Sequence, residues 1–428
     1  MPASPNNAFN TQPPPKKADE RNPNKPYTVK YSTLNPPTMA TSMNRRNWLK
    51  TSALVTTGAL TLPDGIFNTA SATPLVTLRS TSQHNIEQRM AQDFPNLKAR
   101  LFANENPFGP SEKAKKAMTD AMATSYQYPI QVVEQLVGKI AAAENVKPEQ
   151  IMVGTGSTPL LQASAVFFAK NGGSIICGDP AYEYLPDEAE KNFGAKWVKV
   201  PLTADYKYDL DAMEKAIDKD TKLVYICNPN NPTGTYVDAE KMRAFCERVS
   251  PKVPVIIDEA YINYLSDPKG MTLIDCVRKG QNVIVARTFS KLHALAGMRI
   301  GYFVGQTEML KNLLPYTVPF GALSALSASA ALATYDDTEY LQGALKKTLE
   351  SKEYLYSVLK KEGYTYIPSV TNFVMFPINM EGQRFVDEMT KRGVGVRFWK
   401  FNNKEWCRIS IGRMDEMKAF EEAFKQLS

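Results

Sequence analysis

The sequence predicts an α/β fold, with a large domain built on a mostly parallel sheet sandwiched by helices and a smaller α/β domain beside it. Three observations carry this. Between residues 150 and 305, short apolar runs alternate with helical stretches: Ser174-Ile-Ile-Cys177, Leu223-Val-Tyr-Ile-Cys227, Val255-Ile-Ile257 and Val283-Ile-Val285. Runs so nearly continuous in apolar residues read as strands covered on both faces, as in a parallel sheet. Polar residues such as Asp258 stand just past the ends of these runs, where open α/β sheets bind ligands. After residue 326, long helical patterns return together with alternating strand-like stretches, as a second α/β layer requires.

Residues 1–42 are rich in Pro, Asn and Lys without any period, and are expected to be a disordered extension. Residues 43–72 read as a twin-arginine-type signal peptide. They hold a basic stretch, Met43-Asn-Arg-Arg-Asn-Trp-Leu-Lys50, a mildly apolar run over 51–62, and a small-x-small site at Ala70-Ser-Ala72. The run is shorter than the ~20 residues that span a bilayer, so no membrane helix is expected in the mature chain. The leader implies export to the periplasm; without a working leader the protein is expected in the cytoplasm.

Residues 73–125 are expected to form an N-terminal arm and part of the small domain, 126–325 the large domain, and 326–428 the C-terminal small domain. Within them, Ile151-Met-Val153 reads as a strand feeding a glycine-rich turn and a helix over 160–170. A helix is expected over 340–363, a strand at Phe373-Val-Met-Phe376 and a helix over 383–391. An alternating strand, Trp406-Cys-Arg-Ile-Ser-Ile411, precedes a last helix with Met417, Phe420, Phe424 and Leu427 in register.

Chemistry concentrates at four places. Lys291, among Thr288, Ser290 and Arg299 and just past a strand, has the setting of a Schiff-base lysine, beside hydroxyls and a guanidinium that suit a phosphate. Asp258 ends a buried strand, where a carboxylate is costly unless a cation pairs with it. Gly154-Thr-Gly-Ser-Thr158 opens a helix, offering backbone N–H groups to an anion. Arg408 lies on the alternating strand.

These residues belong to segments that resemble, in order, those of the fold-type I pyridoxal-phosphate aminotransferases (class I/II), in the branch similar to histidinol-phosphate aminotransferases. The segments are Ala103-Asn-Glu-Asn-Pro-Phe-Gly-Pro-Ser111, Tyr128-Pro129, Gly154-Thr-Gly-Ser157, Pro180-Ala-Tyr182, Asn228-Pro-Asn-Asn-Pro-Thr-Gly234 and Ile257-Asp-Glu-Ala-Tyr261. The lysine segment, Thr371-Asn-Phe373 and Arg408-Ile-Ser-Ile-Gly412 follow. The resemblance implies a pyridoxal 5'-phosphate cofactor and amino transfer between an amino acid, or an amine like histidinol phosphate, and a 2-oxo acid. It implies that Lys291 holds the cofactor and shuttles the proton, that Asp258 pairs with the ring nitrogen, and that Asn231 and Tyr261 bind its phenolic oxygen. Tyr182 would stack on the ring. Gly156, Ser157, Thr158, Thr288, Ser290 and Arg299 would hold the phosphate, joined by Tyr128 from the opposite subunit of a homodimer with shared active sites. Arg408 matches the arginine that grips the substrate α-carboxylate, and Arg397 one that binds a distal phosphate; Asn104 and Asn372 match further substrate-binding positions.

The chain departs from the family at Thr158-Pro159, where acidic residues are common, and at Gln127, where an arginine is. Both departures, with Phe398-Trp-Lys-Phe401, put an imidazole-phosphate substrate in doubt. Tyr184, Phe320, Phe398 and Trp399 lead us to expect aromatic or bulky donors instead. The same residues would also serve a lyase or decarboxylase on this scaffold, or a protein that binds the cofactor without turnover. The net charge of +7 is misleading. Residues 1–72 hold eight of the 51 basic and three of the 44 acidic residues, leaving 43 against 41. That balance gives no case for nucleic acid. Two histidines and five cysteines without metal spacing give no case for a metal site.

Overall fold

The computed structural model describes residues 97–427; the expected extension, the leader and the first part of the expected arm lie outside the described residues. In chain order the strands are β1 (Ala99–Arg100), β2 (Ile151–Gly154), β3 (Ser174–Asp179), β4 (Lys196–Pro201), β5 (Thr221–Cys227), β6 (Val255–Asp258), β7 (Val283–Thr288), β8 (Gly301–Val304), β9 (Phe373–Ile378), β10 (Val394–Gly395), β11 (Arg397–Phe401) and β12 (Lys404–Ser410).

Seven of them form one sheet in the order β2-β8-β7-β6-β5-β3-β4. In β5, the run Leu223–Cys227 is buried at every residue, so both faces of the sheet are covered. Neighbours from β4 across to β7 run parallel, while β8 is antiparallel to both β7 and β2. This reversal positions the site. The chain leaves β7 at Thr288, folds back over the strand end and re-enters the sheet at Gly301. The Phe289 N–H donates to the Ile300 carbonyl at 3.2 Å and the Leu295 N–H to the Phe289 carbonyl at 3.0 Å. Lys291 and Arg299 both ride on this excursion.

The helix Ser157–Ala169 buries Leu160, Leu161, Ala163, Ala165 and Phe168 against the sheet. It starts earlier than the apolar pattern suggested, because Gly156, with φ +99°, lets the chain turn directly out of β2 into the helix. The helix Thr338–Lys361 buries Ala344, Leu355, Val358 and Leu359 along one stripe and stops just before Gly363.

The remaining strands make a three-stranded antiparallel sheet, β11-β12-β9, and a short parallel pair, β1 with β10. Their core contains Leu101, Phe102, Val374, Phe376, Phe385, Ile409, Phe420 and Phe424, so residues 99–102 pack with segments nearly three hundred residues later in the chain. The core of the large sheet takes in Ala114 and, from the helix Ala325–Thr334, Ala328, Ala330 and Ala331. Packing therefore assigns that helix to the large body, and a cut at 325/326 does not follow the cores. All five cysteines are buried free thiols. Among the described residues, no helix is long and apolar enough to cross a membrane, and no cluster of His, Cys, Asp or Glu could hold a metal ion.

Candidate active site

The ends of β5, β6 and β7 open onto a cavity of about 440 Å³ walled on its other side by residues 100–105 and by β11 and β12. Asp258 is the last residue of β6 and is 2% exposed. One carboxylate oxygen accepts the Ala260 N–H at 3.0 Å and the other the Tyr225 hydroxyl at 3.1 Å. Burial pushes its carboxyl up to about 6, against the lowering pull of those two bonds and of the Lys291 charge. Such a carboxylate is short of a close cation.

Beside it, a clip fixes the ends of β6 and β7. Arg287 Nε donates to Glu259 Oε2 at 2.7 Å, Arg287 Nη2 to Thr272 Oγ1 at 3.0 Å, and the Leu273 N–H to Glu259 Oε1 at 2.6 Å, all buried. The clip holds the residues that flank Asp258 and Thr288.

Lys291 Nζ lies 3.5 Å from the Ala103 carbonyl oxygen and 5.6 Å from the centre of the Tyr261 ring. The Tyr261 hydroxyl accepts from Asn104 Nδ2 at 3.0 Å, and burial raises its pKa. Asn104 itself is held in a left-handed conformation, φ 53°, by Ser410: its N–H donates to the Ser410 hydroxyl and its Oδ1 accepts from that hydroxyl, each at 2.8 Å. Asn106 Nδ2 donates to the Leu292 carbonyl at 2.8 Å, tying this loop to the lysine loop.

Arg408, on β12 and 2% exposed, donates from Nη1 to Asn231 Oδ1 at 2.7 Å and from Nη2 to the Phe102 carbonyl at 2.6 Å. Asn231 is set by a turn that closes on its own asparagines: Asn228 exchanges bonds with the backbone of Val237 at 3.0 and 2.9 Å. Arg397 pairs directly across from Arg408 in the strand register. Both guanidinium groups face the Trp399 ring, at 4.8 and 4.6 Å from its centre.

At the opposite end, Ser157 and Thr158 line the cavity at the start of their helix, where N–H groups lack intrahelical partners, and Thr288 Oγ1 donates to Ser290 Oγ at 2.9 Å. Arg299 is held by a bond from Nη1 to the Ala296 carbonyl at 2.9 Å. A Cβ on Gly156 would come within 2.6 Å of Arg299 Nη2. A Cβ on Gly301 would come within 2.6 Å of the Ser157 nitrogen. The two glycines thus let the Arg299 guanidinium and the helix start at Ser157 come close together, a cradle with the donor types a phosphate needs.

The structure therefore brings Asn104, Ser157, Thr158, Tyr182, Asn231, Asp258, Tyr261, Thr288, Ser290, Lys291, Arg299, Arg397 and Arg408 around one cavity, with Gly156 touching Arg299 behind it. Two expected residues stand apart. Asn372 does not line the cavity; its Nδ2 donates to the carbonyls of Asn104 at 3.1 Å and Glu105 at 3.3 Å, bracing the wall from behind. Tyr128 is 78% exposed, away from this chain's own cavity. Of the expected aromatic wall, Tyr184 lines the cavity, while Phe398 packs on Gly382 and Trp399 lies under the arginines. Arg100, Glu105 and Glu183 also line it, and sequence reasoning missed them. Glu105 and Glu183 each sit inside a run singled out by its neighbours, Asn104-Glu-Asn106 and Tyr182-Glu-Tyr184, which was their only signal.

Comparison with known proteins agrees with this geometry. Residues 98–424 match the family described as aminotransferase class I and II. The chain is 34% identical over 331 residues to histidinol-phosphate aminotransferase of Moorella thermoacetica, covering 77% of this chain and 85% of that protein. It is 34% identical over 355 residues to histidinol-phosphate aminotransferase 1 of Bacillus thuringiensis subsp. konkukian, covering 82% and 95%. The crystal structure of histidinol-phosphate aminotransferase from Sinorhizobium meliloti in complex with pyridoxal-5'-phosphate superposes with a TM-score of 0.73 at 25% identity, over 85% of this chain and all of that one.

Proposed function

Because the chain belongs to the class I and II aminotransferases and is a pyridoxal-phosphate-dependent enzyme of that kind, we propose roles for the residues that meet in its cavity, and an assembly and location for the protein. The donor set fits the cofactor. Asp258 would hold the pyridine nitrogen, the cradle at Gly156, Ser157, Thr158, Thr288, Ser290 and Arg299 its phosphate, Tyr182 its ring face, and Asn231 and Tyr261 its phenolic oxygen. Bound there, the cofactor supplies an electron sink that weakens bonds at the substrate Cα.

The chain's own residues do the rest. The Arg408 fork, already aimed by Asn231 and the Phe102 carbonyl, takes the substrate α-carboxylate. Lys291 Nζ takes the proton from Cα and returns it, acting as base and then acid. Tyr261, kept protonated by burial, supplies a hydrogen bond rather than a charge. The donor is an amino acid or an amine of the histidinol-phosphate type, and the acceptor a 2-oxo acid. The observation that carries this reading is the convergence of buried Asp258 and Arg408 with half-buried Lys291, from β6, β12 and the lysine loop, on one cavity. Absorbance of the cofactor-loaded protein tests it. At least one amino acid should convert the cofactor to its amine form with release of a keto acid; no conversion across a panel that includes histidinol phosphate refutes it.

The assembly is a homodimer in which Tyr128 reaches the partner's phosphate cradle. The exposed Met122, Tyr126, Tyr128 and Ile130 support this, as apolar groups close together in sequence that suit burial between subunits. Sedimentation should give twice the chain mass; a monomer at micromolar concentration overturns it. Export through residues 43–72 rests on Arg45-Arg46 and the apolar run that follows. A reporter fused to residues 1–72 should leave the cytoplasm, and Arg45→Lys with Arg46→Lys should retain it there.

A further inference from the structure

Among the carboxylates that line the cavity, Glu183 stands alone. Asp258 accepts from Tyr225 and Ala260. Glu105 is clamped by Arg100, with Nε–Oε2 at 2.7 Å and Nη2–Oε1 at 3.3 Å, so that pair cancels in charge. The Glu183 carboxylate makes no hydrogen bond or ion pair with any of the described residues. The cations that influence it are engaged elsewhere: Lys191 pairs with Asp187 at 2.8 Å, and the Lys199 ammonium sits 4.1 Å over the Trp197 ring. Half-buried, the carboxyl is pushed upward by burial first and by Asp187 next.

Its neighbours give it a shape to select. Tyr182 and Tyr184 flank it in sequence, their rings lie 15° from parallel with centres 6.3 Å apart, and both line the cavity. Aromatic faces beside a carboxylate attract a planar cation through both the ring quadrupole and the charge. An apolar substrate side chain laid over Glu183 would strip its water and return nothing, so the same residue discriminates against such donors.

We propose that Glu183, with Tyr184, selects an amino donor whose side chain ends in a planar cation such as a guanidinium. This rests on the aminotransferase reading only for the placement of the α-carboxylate at Arg408.

The test uses the cofactor-loaded enzyme and two carboxylates without an α-amine, 5-guanidinopentanoate and its neutral isostere 5-ureidopentanoate, titrated by calorimetry. The guanidino compound should bind about tenfold tighter or more, the gain of one charge-assisted contact. Glu183→Gln should collapse that ratio towards one. Equal affinities in the wild type, binding of neither compound, or an unchanged ratio in Glu183→Gln each overturn the proposal. Should the variant fail to fold, the wild-type ratio alone decides. A ratio that persists while neither arginine nor citrulline is turned over supports the selectivity of Glu183 and counts against amino transfer instead.

Discussion

Replacing Asp258 by Asn should make the cofactor-free protein more stable at pH 8 while abolishing amino transfer. The magnitude follows from the site. Burial raises the Asp258 carboxyl to about 6 from its ordinary 3.8, a gap of about two units. At about 1.4 kcal/mol per unit, the ionised group costs the folded state about 3 kcal/mol at pH 8. Asn keeps partners for the Ala260 N–H and the Tyr225 hydroxyl, but leaves the Lys291 charge less compensated, which brings the expected gain to about 1–3 kcal/mol. The sign with pH is fixed by linkage. A carboxyl whose folded pKa lies above its unfolded one binds more protons when folded, so its penalty is absent below pH 3.8 and complete above about 6. Urea denaturation of wild type and Asp258→Asn at pH 4 and pH 8, without cofactor, should show the variant ahead at pH 8 and the gap much smaller at pH 4. Equal or lower stability of the variant at pH 8, or the same gap at both pH values, would refute the reasoning.

Other perturbations act on neighbouring parts. Gly156→Ala places a side chain where φ is +99° and 2.6 Å from Arg299 Nη2; the backbone strain is about 1–3 kcal/mol, and cofactor affinity by equilibrium dialysis should fall about tenfold or more. Arg287→Met leaves Glu259 buried without its cation and should cost about 3–5 kcal/mol in urea denaturation; a loss below 1 kcal/mol would show that the clip is not an essential brace. Arg408→Lys keeps the charge but not the fork, so kcat/KM should drop about a hundredfold, chiefly through KM, with the circular dichroism spectrum unchanged.

Legibility from sequence followed the range of the interaction. The central strands were plain because burial on both faces is written locally, in runs such as Leu223–Cys227. Lys291 and Asp258 were plain for the same reason, as polar groups placed just past such runs. The two-residue β1–β10 pair was not, since two residues carry no period of their own, and the antiparallel sense of β8 depends on its partners rather than on its own run. Asn372 shows another limit: its side chain serves two carbonyls 267 and 268 residues away, a contact no local pattern predicts. Lys352 likewise reads as one more charge on a helix, yet it is buried and caps the carbonyls of Ser369 and Thr371 at 2.8 and 3.2 Å.

The pairing of Arg408 with the Phe102 carbonyl has a consequence for how the protein comes into being. β12 is the middle strand of its sheet, and its Arg408 lies 306 residues after the Phe102 carbonyl it grips. During synthesis the walls at β5, β6, β7 and the lysine loop emerge well before β11 and β12, and residues 99–102 wait for the late segments they pack on. Such late, distant contacts are slow to close. A ribosome stalled before residue 404 would thus carry a phosphate cradle and a reactive lysine with nothing to orient an amino acid, and competence should arrive only once β12 is made and Arg408 closes on Asn231 and the Phe102 carbonyl.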